Sequence, residues 1–538
     1  MSSVTTRLED TIHENMERSG LSGLAIALVK NGELVAAEGY GIANIETGEP
    51  VQPSTRLSIQ SVTKTIVATA IVQLRDRSLL DLDAPVNVCI APRAVTNKWE
   101  AEAPVTARRL LTHTAGFPVG LPTPGKLSIA DFIAQFARTT YRPGTDMIYA
   151  NIGFDIAGVL IERLSGRPVD DYLREAIFEP LGMTSSALVN PADGEPRAYG
   201  HYRSAVDDIL RTLPLPEWPD HRAPSGGVWS NVFDLAKFLI AHLNGGSGIL
   251  SAASINEMHQ LHARQGSTNS GQGIGFRVTH VNGHRTICHG GDGSGFTAFI
   301  AAQPDDGAAV ALLINTGGME AARSIIGTTA LASLVERAPR TFAVGQFPAT
   351  GVYKSTFWDI ELEARDDTLV PTRGLVMSEN PAPSTLHPTR DATFDAEGGM
   401  FHGFEVTVEA DRIYGGVYPF TFVRTSDLPA APPPIDETLD LTGDWSGHIQ
   451  TPLGPIPTSL HMISETAITA DTPFAQGVAV QNARATAGRV EGDFTLNTPV
   501  GEMQMILRLE ARGGKLTGVT HGRAPFGETP FVTELARA

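Results

Sequence analysis

Apolar residues recur along the chain with two different periods, and the change from one to the other divides it. From Thr63 to Arg77 (TKTIVATAIVQLRDR) they return at helical spacing, which predicts a mostly buried helix beginning at or just after Ser61. An amphipathic helix is expected at the N-terminus, followed by two strand-like runs, Gly23 to Lys30 (GLAIALVK) and Glu33 to Tyr40 (ELVAAEGY). Asn31-Gly32 between them supplies the two positive-φ residues of a type I′ hairpin turn. Helical spacing dominates from about 105 to 245, and strand-like, glycine-rich runs return around 271 to 315 (GIGFRVTH, RTICHGG, TAFIAAQP, AAVALLIN). Strands at both ends with helices between them predict an α/β (α+β) domain whose mainly antiparallel sheet is closed by distant parts of the chain.

Past a final helix near 319 to 337 the pattern changes to short alternating strands separated by Gly, Pro and Asp turns. This predicts an all-β region of about 190 residues. Leu428 to Glu437 (LPAAPPPIDE) interrupts it, and its prolines favour a stiff, extended linker. Thr350-Gly351-Val352-Tyr353 and Thr442-Gly443-Asp444-Trp445 open the two parts with a similar phrase. The expected division is therefore 1–340 for the catalytic domain, with β-barrel-like lobes at 345–428 and 438–538.

The chain has 538 residues, and at roughly 100–200 residues per domain such a length suggests two to four units. Its 42% hydrophobic and 19% charged residues are those of an ordinary globular protein. A net charge of −18, with no basic tract to reverse it locally, excludes nucleic acid and anionic membrane surfaces as expected partners. The first twenty residues are charged throughout, unlike a secretory signal, and no apolar run is long enough to span a membrane. The two cysteines, Cys89 and Cys288, match neither a disulfide framework nor a metal-ligand spacing. The expectation is a cytoplasmic protein with no metal or organic cofactor. Nothing fixes the oligomeric state, and a homodimer is allowed.

The chemistry sits in three separated motifs. Ser61-Val62-Thr63-Lys64 places a serine and a lysine three apart, on one helix face. A serine hydroxyl is a weak nucleophile until a neighbour takes its proton, and a desolvated lysine can do that. Alone, the pattern reads more readily as a capping serine beside a solvated lysine. Tyr149-Ala150-Asn151 adds a tyrosine whose phenolate, steadied by cations, could act as general base, and an amide that could orient substrate and lysine. His289-Gly290-Gly291 ends a strand-like run, where adjacent glycines let backbone N–H groups approach an oxyanion. Alternation along RTICHGG puts Cys288 on the opposite face from His289 and so in the core. His113 is expected to be structural.

These motifs, in this order, resemble the serine β-lactamase-like and penicillin-recognising hydrolases, a family that includes class C β-lactamases, D-aminopeptidases and related esterases. Leu110–Phe117 (LLTHTAGF), Phe178–Ser185 (FEPLGMTS), Pro224–Phe238 (PSGGVWSNVFDLAKF) and Gly271–Phe276 (GQGIGF) extend the resemblance over residues 8 to 335. It implies Ser61 as acylated nucleophile, Lys64 as its activator, Tyr149 as general base and Asn151 as a substrate-orienting amide. It also implies an oxyanion hole from backbone N–H groups of Ser61 and the strand after Gly290-Gly291, at Asp292. His289 stands where many members carry a lysine that binds a substrate carboxylate, which turns the expectation away from β-lactams. A histidine followed by two glycines, with two β-barrel lobes appended, looks most like the D-stereospecific aminopeptidases, and Gly443-Asp444-Trp445 is similar to the G-x-W that opens lipocalin-like barrels. The expected activity is hydrolysis of an amide or ester in a small molecule or short peptide through an acyl-serine. A D-amino-acid-directed aminopeptidase comes first, a carboxylesterase second, and a penicillin-binding sensor without turnover is the rival from another class.

Overall fold

A computed structural model describes residues 2–118, 127–192, 195–216, 223–266, 268–336, 350–355, 359–365, 368–374, 384–390, 393–409, 411–417, 421–427, 433–451, 454–498, 501–524 and 527–538. Part of the proline-rich stretch 428–437 lies outside them.

Helix α1 (Ser2–Ser19) leads into strands β1 (Gly23–Lys30) and β2 (Glu33–Asn44). The turn between the strands has Asn31 at φ 52° and Gly32 at φ 77°, as its dipeptide requires. Helices α2 (Thr63–Asp76), α3 (Asn151–Ser165) and α4 (Val232–Leu243) belong to the helical middle. The sheet then resumes with β3 (Arg277–Val281), β4 (His284–Gly293), β5 (Phe296–Gln303) and β6 (Ala308–Ile314), and α5 (Glu320–Leu334) follows. In space the strands run β2-β1-β6-β5-β4-β3, all antiparallel, with short pairings at both edges. Leu24 pairs with Ile314 and Lys30 with Ala308, so the sheet is closed by the two ends of the α/β region.

Both faces of the sheet are covered, and the strand sequences say why. Along β6, Ala309, Ala311 and Leu313 join the core shared with α2, α3 and α4. Val310, Leu312 and Ile314 join a second core with residues of α1 and α5. A strand apolar at every position is what burial on two sides requires, and each fully buried Leu, Ile or Val is worth about 1.5–3 kcal/mol.

Contacts group the chain into two compact units, Met1–Arg203 with Leu215–Leu428, and Ser204–Pro214 with Pro429–Ala538. The first contains the α/β region and a closed barrel of eight strands between Gly351–Lys354 and Thr421–Ser426. This barrel shares the second core: Phe401, Phe404 and Phe422 cluster with Phe299, Ile326 and Leu331. Asn282 N–H donates to Gly403 O at 2.8 Å, Ser324 Oγ to Met400 O at 2.9 Å and Arg277 Nε to Gly416 O at 2.8 Å. The second unit is a nine-stranded antiparallel sheet with a core of its own around Trp445, whose indole N–H donates to Leu441 O at 2.9 Å. Within it, Ser204 Oγ donates to Glu528 Oε2 at 2.9 Å.

Candidate active site

Ser61 lies in a short 3₁₀ turn, Gln60–Val62, that runs directly into α2. Gln60 before it is held at φ 50° and is buried, with its amide donating to Ser58 Oγ at 2.9 Å. A non-glycine residue in the left-handed region marks local strain. The turn leaves the Ser61 N–H bonded to no group among the described residues. That donor sits at a helix N-terminus beside a partly exposed hydroxyl.

One turn on, Lys64 is fully buried. Its Nζ donates to Ser61 Oγ at 2.8 Å and to the backbone carbonyl of Ser225 at 2.6 Å. It also stands 5.1 Å from the centroid of the Tyr149 ring and 5.8 Å from that of Phe154. The amine can therefore exchange a proton with the serine without changing position.

Tyr149 is brought to the same place by the segment before α3. Burial pushes its phenol well above the ordinary range, the nearby Ser61 hydroxyl pulls the other way, and the charge of Asp292 pushes it further up. The resting side chain is accordingly a neutral phenol, because burial outweighs the cation that the sequence suggested would favour a phenolate. His113 backs it. The two rings lie 4.4 Å apart, and His113 Nδ1 accepts from the Ala150 N–H at 3.2 Å.

His289 faces this group from β4, 6.4 Å from Tyr149 between ring centroids. Its Nδ1 is 2.6 Å from Gly290 O, so Nδ1 carries the proton and Nε2 the lone pair. Burial first and Lys64 second depress its pKa to about 3, which leaves the ring uncharged at neutral pH. Gly291 lies against the nucleophile turn. A Cβ there would stand 2.3 Å from Ile59 O and 3.1 Å from Ser61 N, so only glycine admits the strand so close. Pairing of β4 with β3 ends at Cys288, which leaves Gly290 to Gly293 with an edge that β3 does not cover. Asp292 turns its carboxylate to the other face, where the buried guanidinium of Arg323 on α5 bonds it. Glu320 lies in the same cluster, and burial, followed by the Asp292 charge, raises its pKa to about 7.

The fold thus assembles Ser61, Lys64, Tyr149, His289, Gly290, Gly291 and Asp292. Asn151 is the first residue of α3 and exposed, and its side chain hydrogen-bonds to no group among the described residues, so the lysine is held by the Ser225 carbonyl instead. Sequence reasoning missed that carbonyl, although the phrase containing Ser225 had stood out. Cys288 is buried on the face opposite His289, with its thiol pushed up to about 12 by burial. Among the described residues no group of three or more His, Cys, Asp or Glu side chains is arranged to hold a metal ion.

A family model described as "Beta-lactamase" matches residues 8–333, more than half of the chain. The chain belongs to the beta-lactamase family. Its members are serine hydrolases, and so is this protein. It is 28% identical to esterase EstB of Burkholderia gladioli over 275 residues, 47% of this chain and 68% of that protein. It is 30% identical to penicillin-binding protein 4 of Amycolatopsis lactamdurans over 316 residues, 55% of this chain and 81% of that protein. Among solved structures, the octameric penicillin-binding protein homologue from Pyrococcus abyssi superimposes with a TM-score of 0.56 at 23% identity. That alignment covers 78% of this chain and all of the other, and it establishes the shared fold.

Proposed function

We propose that the protein hydrolyses small amides or esters through an acyl-serine at Ser61. The observation that carries this reading is the buried Lys64 amine held between Ser61 Oγ at 2.8 Å and Ser225 O at 2.6 Å. In its neutral amine form, which burial favours, Lys64 accepts the serine proton as Oγ attacks the carbonyl carbon. Tyr149, a phenol beside both groups, relays that proton to the leaving amine or alkoxide, and the same pair then draws a proton from the water that cleaves the acyl-enzyme. The Ser61 N–H and the Asp292 N–H on the uncovered strand edge receive the developing oxyanion. Asn151 orients the acyl side of the substrate.

His289 sets the substrate class. A neutral ring in this position offers a lone pair where a lysine would offer charge, so the favoured substrates lack the carboxylate common to β-lactams. Within that class we favour an amide of a D-amino acid with a free amine, which the negative net charge of −18 would attract. A carboxylesterase is the second reading, favoured by the 28% identity to an esterase. The unpaired cysteines Cys89 and Cys288 support a reducing, cytoplasmic location.

A panel of D-alanyl anilide and short-chain nitrophenyl esters, run on wild type beside Ser61→Ala, tests both levels. Ser61→Ala is expected to lose on the order of 10³-fold or more in kcat/KM with unchanged folding. Retained turnover overturns the mechanism. Fast ester turnover without advantage from a free amine overturns only the amidase preference. A stable covalent adduct without product release would make the protein a sensor instead.

A further inference from the structure

Beside the active site, and lined by none of Ser61, Lys64 or Tyr149, lies a cleft of about 540 Å³. Its walls include Thr106, Arg109, Thr114, Asp146, His262 and Arg264. Thr112 and Thr114, which flank His113 in the chain, and Gly144 to Met147, which lead into Tyr149, form one side of it. A volume of this size fits a small organic molecule.

The charges in the cleft are not balanced alike. Arg108 is fully occupied: its guanidinium grips Asp83 by two bonds of 2.8 and 2.9 Å and reaches Glu257 at 2.9 Å. Asp146 is exposed and has the Arg412 guanidinium as a charge neighbour. Arg109, by contrast, bonds through its side chain only the carbonyl of Pro104. Arg264 donates to Thr268 O at 2.7 Å and Asn269 Oδ1 at 3.0 Å, both uncharged. Asp83 on the same wall feels the Arg109 charge, but among the described residues neither guanidinium has a carboxylate within ion-pair distance, and each keeps unused N–H donors. His262 adds an imidazole at the same wall, tied through Nε2 to Glu257 O at 2.8 Å. Two guanidinium forks without a direct carboxylate contact thus share one concavity with Asp83 and Asp146, and cations outnumber carboxylates on its wall in a protein of net charge −18.

We propose that this cleft is a binding site for a small dianionic oxyanion, of the phosphate monoester or dicarboxylate class. A dianion can bridge the two guanidinium groups that lack a direct carboxylate contact, and planar forks bind such oxygens two at a time. Of the wall's threonines, Thr106 keeps its hydroxyl proton free to donate, its oxygen accepting from the Arg109 N–H at 3.2 Å. The site does not depend on the reaction proposed for Ser61.

Inorganic phosphate and succinate are the probes, with acetate at matched ionic strength as the monovalent control. In wild type, modification of Arg264 by phenylglyoxal, mapped by peptide mass spectrometry, is expected to slow saturably with a dianion and not with acetate. Calorimetric titration is expected to give an affinity that falls about tenfold in Arg109→Met/Arg264→Met and by less in Arg264→Met alone. Protection by phosphate alone, or by succinate alone, assigns the class. Equal protection by acetate, no protection by either dianion, or unchanged affinity in a folded double variant overturns the proposal. The protection experiment uses only wild-type protein, so it decides the matter even if the double variant fails to fold.

Discussion

At His289 the surroundings decide more than the residue type. The ring is 4% exposed and close to Lys64, and protonating it would set two cations side by side out of water. With its pKa held at about 3, it does not change charge anywhere near neutrality. His289→Gln, which keeps a neutral donor and acceptor, is therefore expected to leave the shape of kcat/KM against pH unchanged between roughly 5 and 9. Disappearance of an acidic limb in the variant would show that the histidine titrates in that range. The sequence made Ser61, Lys64, Tyr149 and His289 visible because each acts through its side-chain type. It could not show that Tyr149 rests as a phenol or that His289 is uncharged, since burial is a property of the folded surroundings. Nor could it single out the Ser225 carbonyl, because every residue carries one.

Strand β4 is the element on which the site depends most. Its alternation was legible: Cys288 and His289 fall on opposite faces, one packed toward α5 and the other toward Tyr149. Gly291 was legible as a close approach, though not what it approaches. Gly291→Ala would drive a methyl to within 2.3 Å of Ile59 O and part the strand from the Ser61 turn. A loss of about 10²–10³ in kcat, the cost of a displaced oxyanion donor, is expected in steady-state assays. Near-wild-type kcat would mean that the strand does not serve the oxyanion. Behind β4, the Arg323–Asp292 pair and Glu320 joined residues about 30 apart in sequence with no local signature. The raised pKa of Glu320 gives a definite sign. The folded state holds this proton more tightly than the unfolded one, so the stability it contributes is fully present below about 4.5 and is lost as pH rises through about 7. Glu320→Gln should hold its Tm from pH 5 to 8 better than wild type does. Parallel melting curves in the two proteins would refute the assignment.

Across the whole molecule the alternating pattern of the C-terminal third foretold its β structure, whereas its allegiance is a matter of tertiary packing. The first barrel completes the core that α1, α5 and the sheet share, through Phe401 and Phe404. The second unit buries its own residues around Trp445 and Leu507. Ending the chain after residue 428 should leave a folded protein that still turns over small esters. Ending it after residue 340 should expose Phe299, Ile326 and Leu331 and give insoluble or strongly destabilised protein. Soluble expression and thermal melts of the two truncations distinguish these outcomes, and equal behaviour would dissolve the distinction between the lobes.

The pairing of β1 with β6 also carries a consequence for synthesis. Leu24 finds its partner Ile314 only after roughly 290 further residues have been made. At about 5–20 residues per second, the ribosome needs on the order of 15–60 s to deliver it. Throughout that interval the nascent chain carries a strand that is apolar on both faces and has an unpaired edge, a template for association with other chains. Yield of native protein should consequently follow the supply of chaperones that shield such an edge, more than the stability of the finished fold.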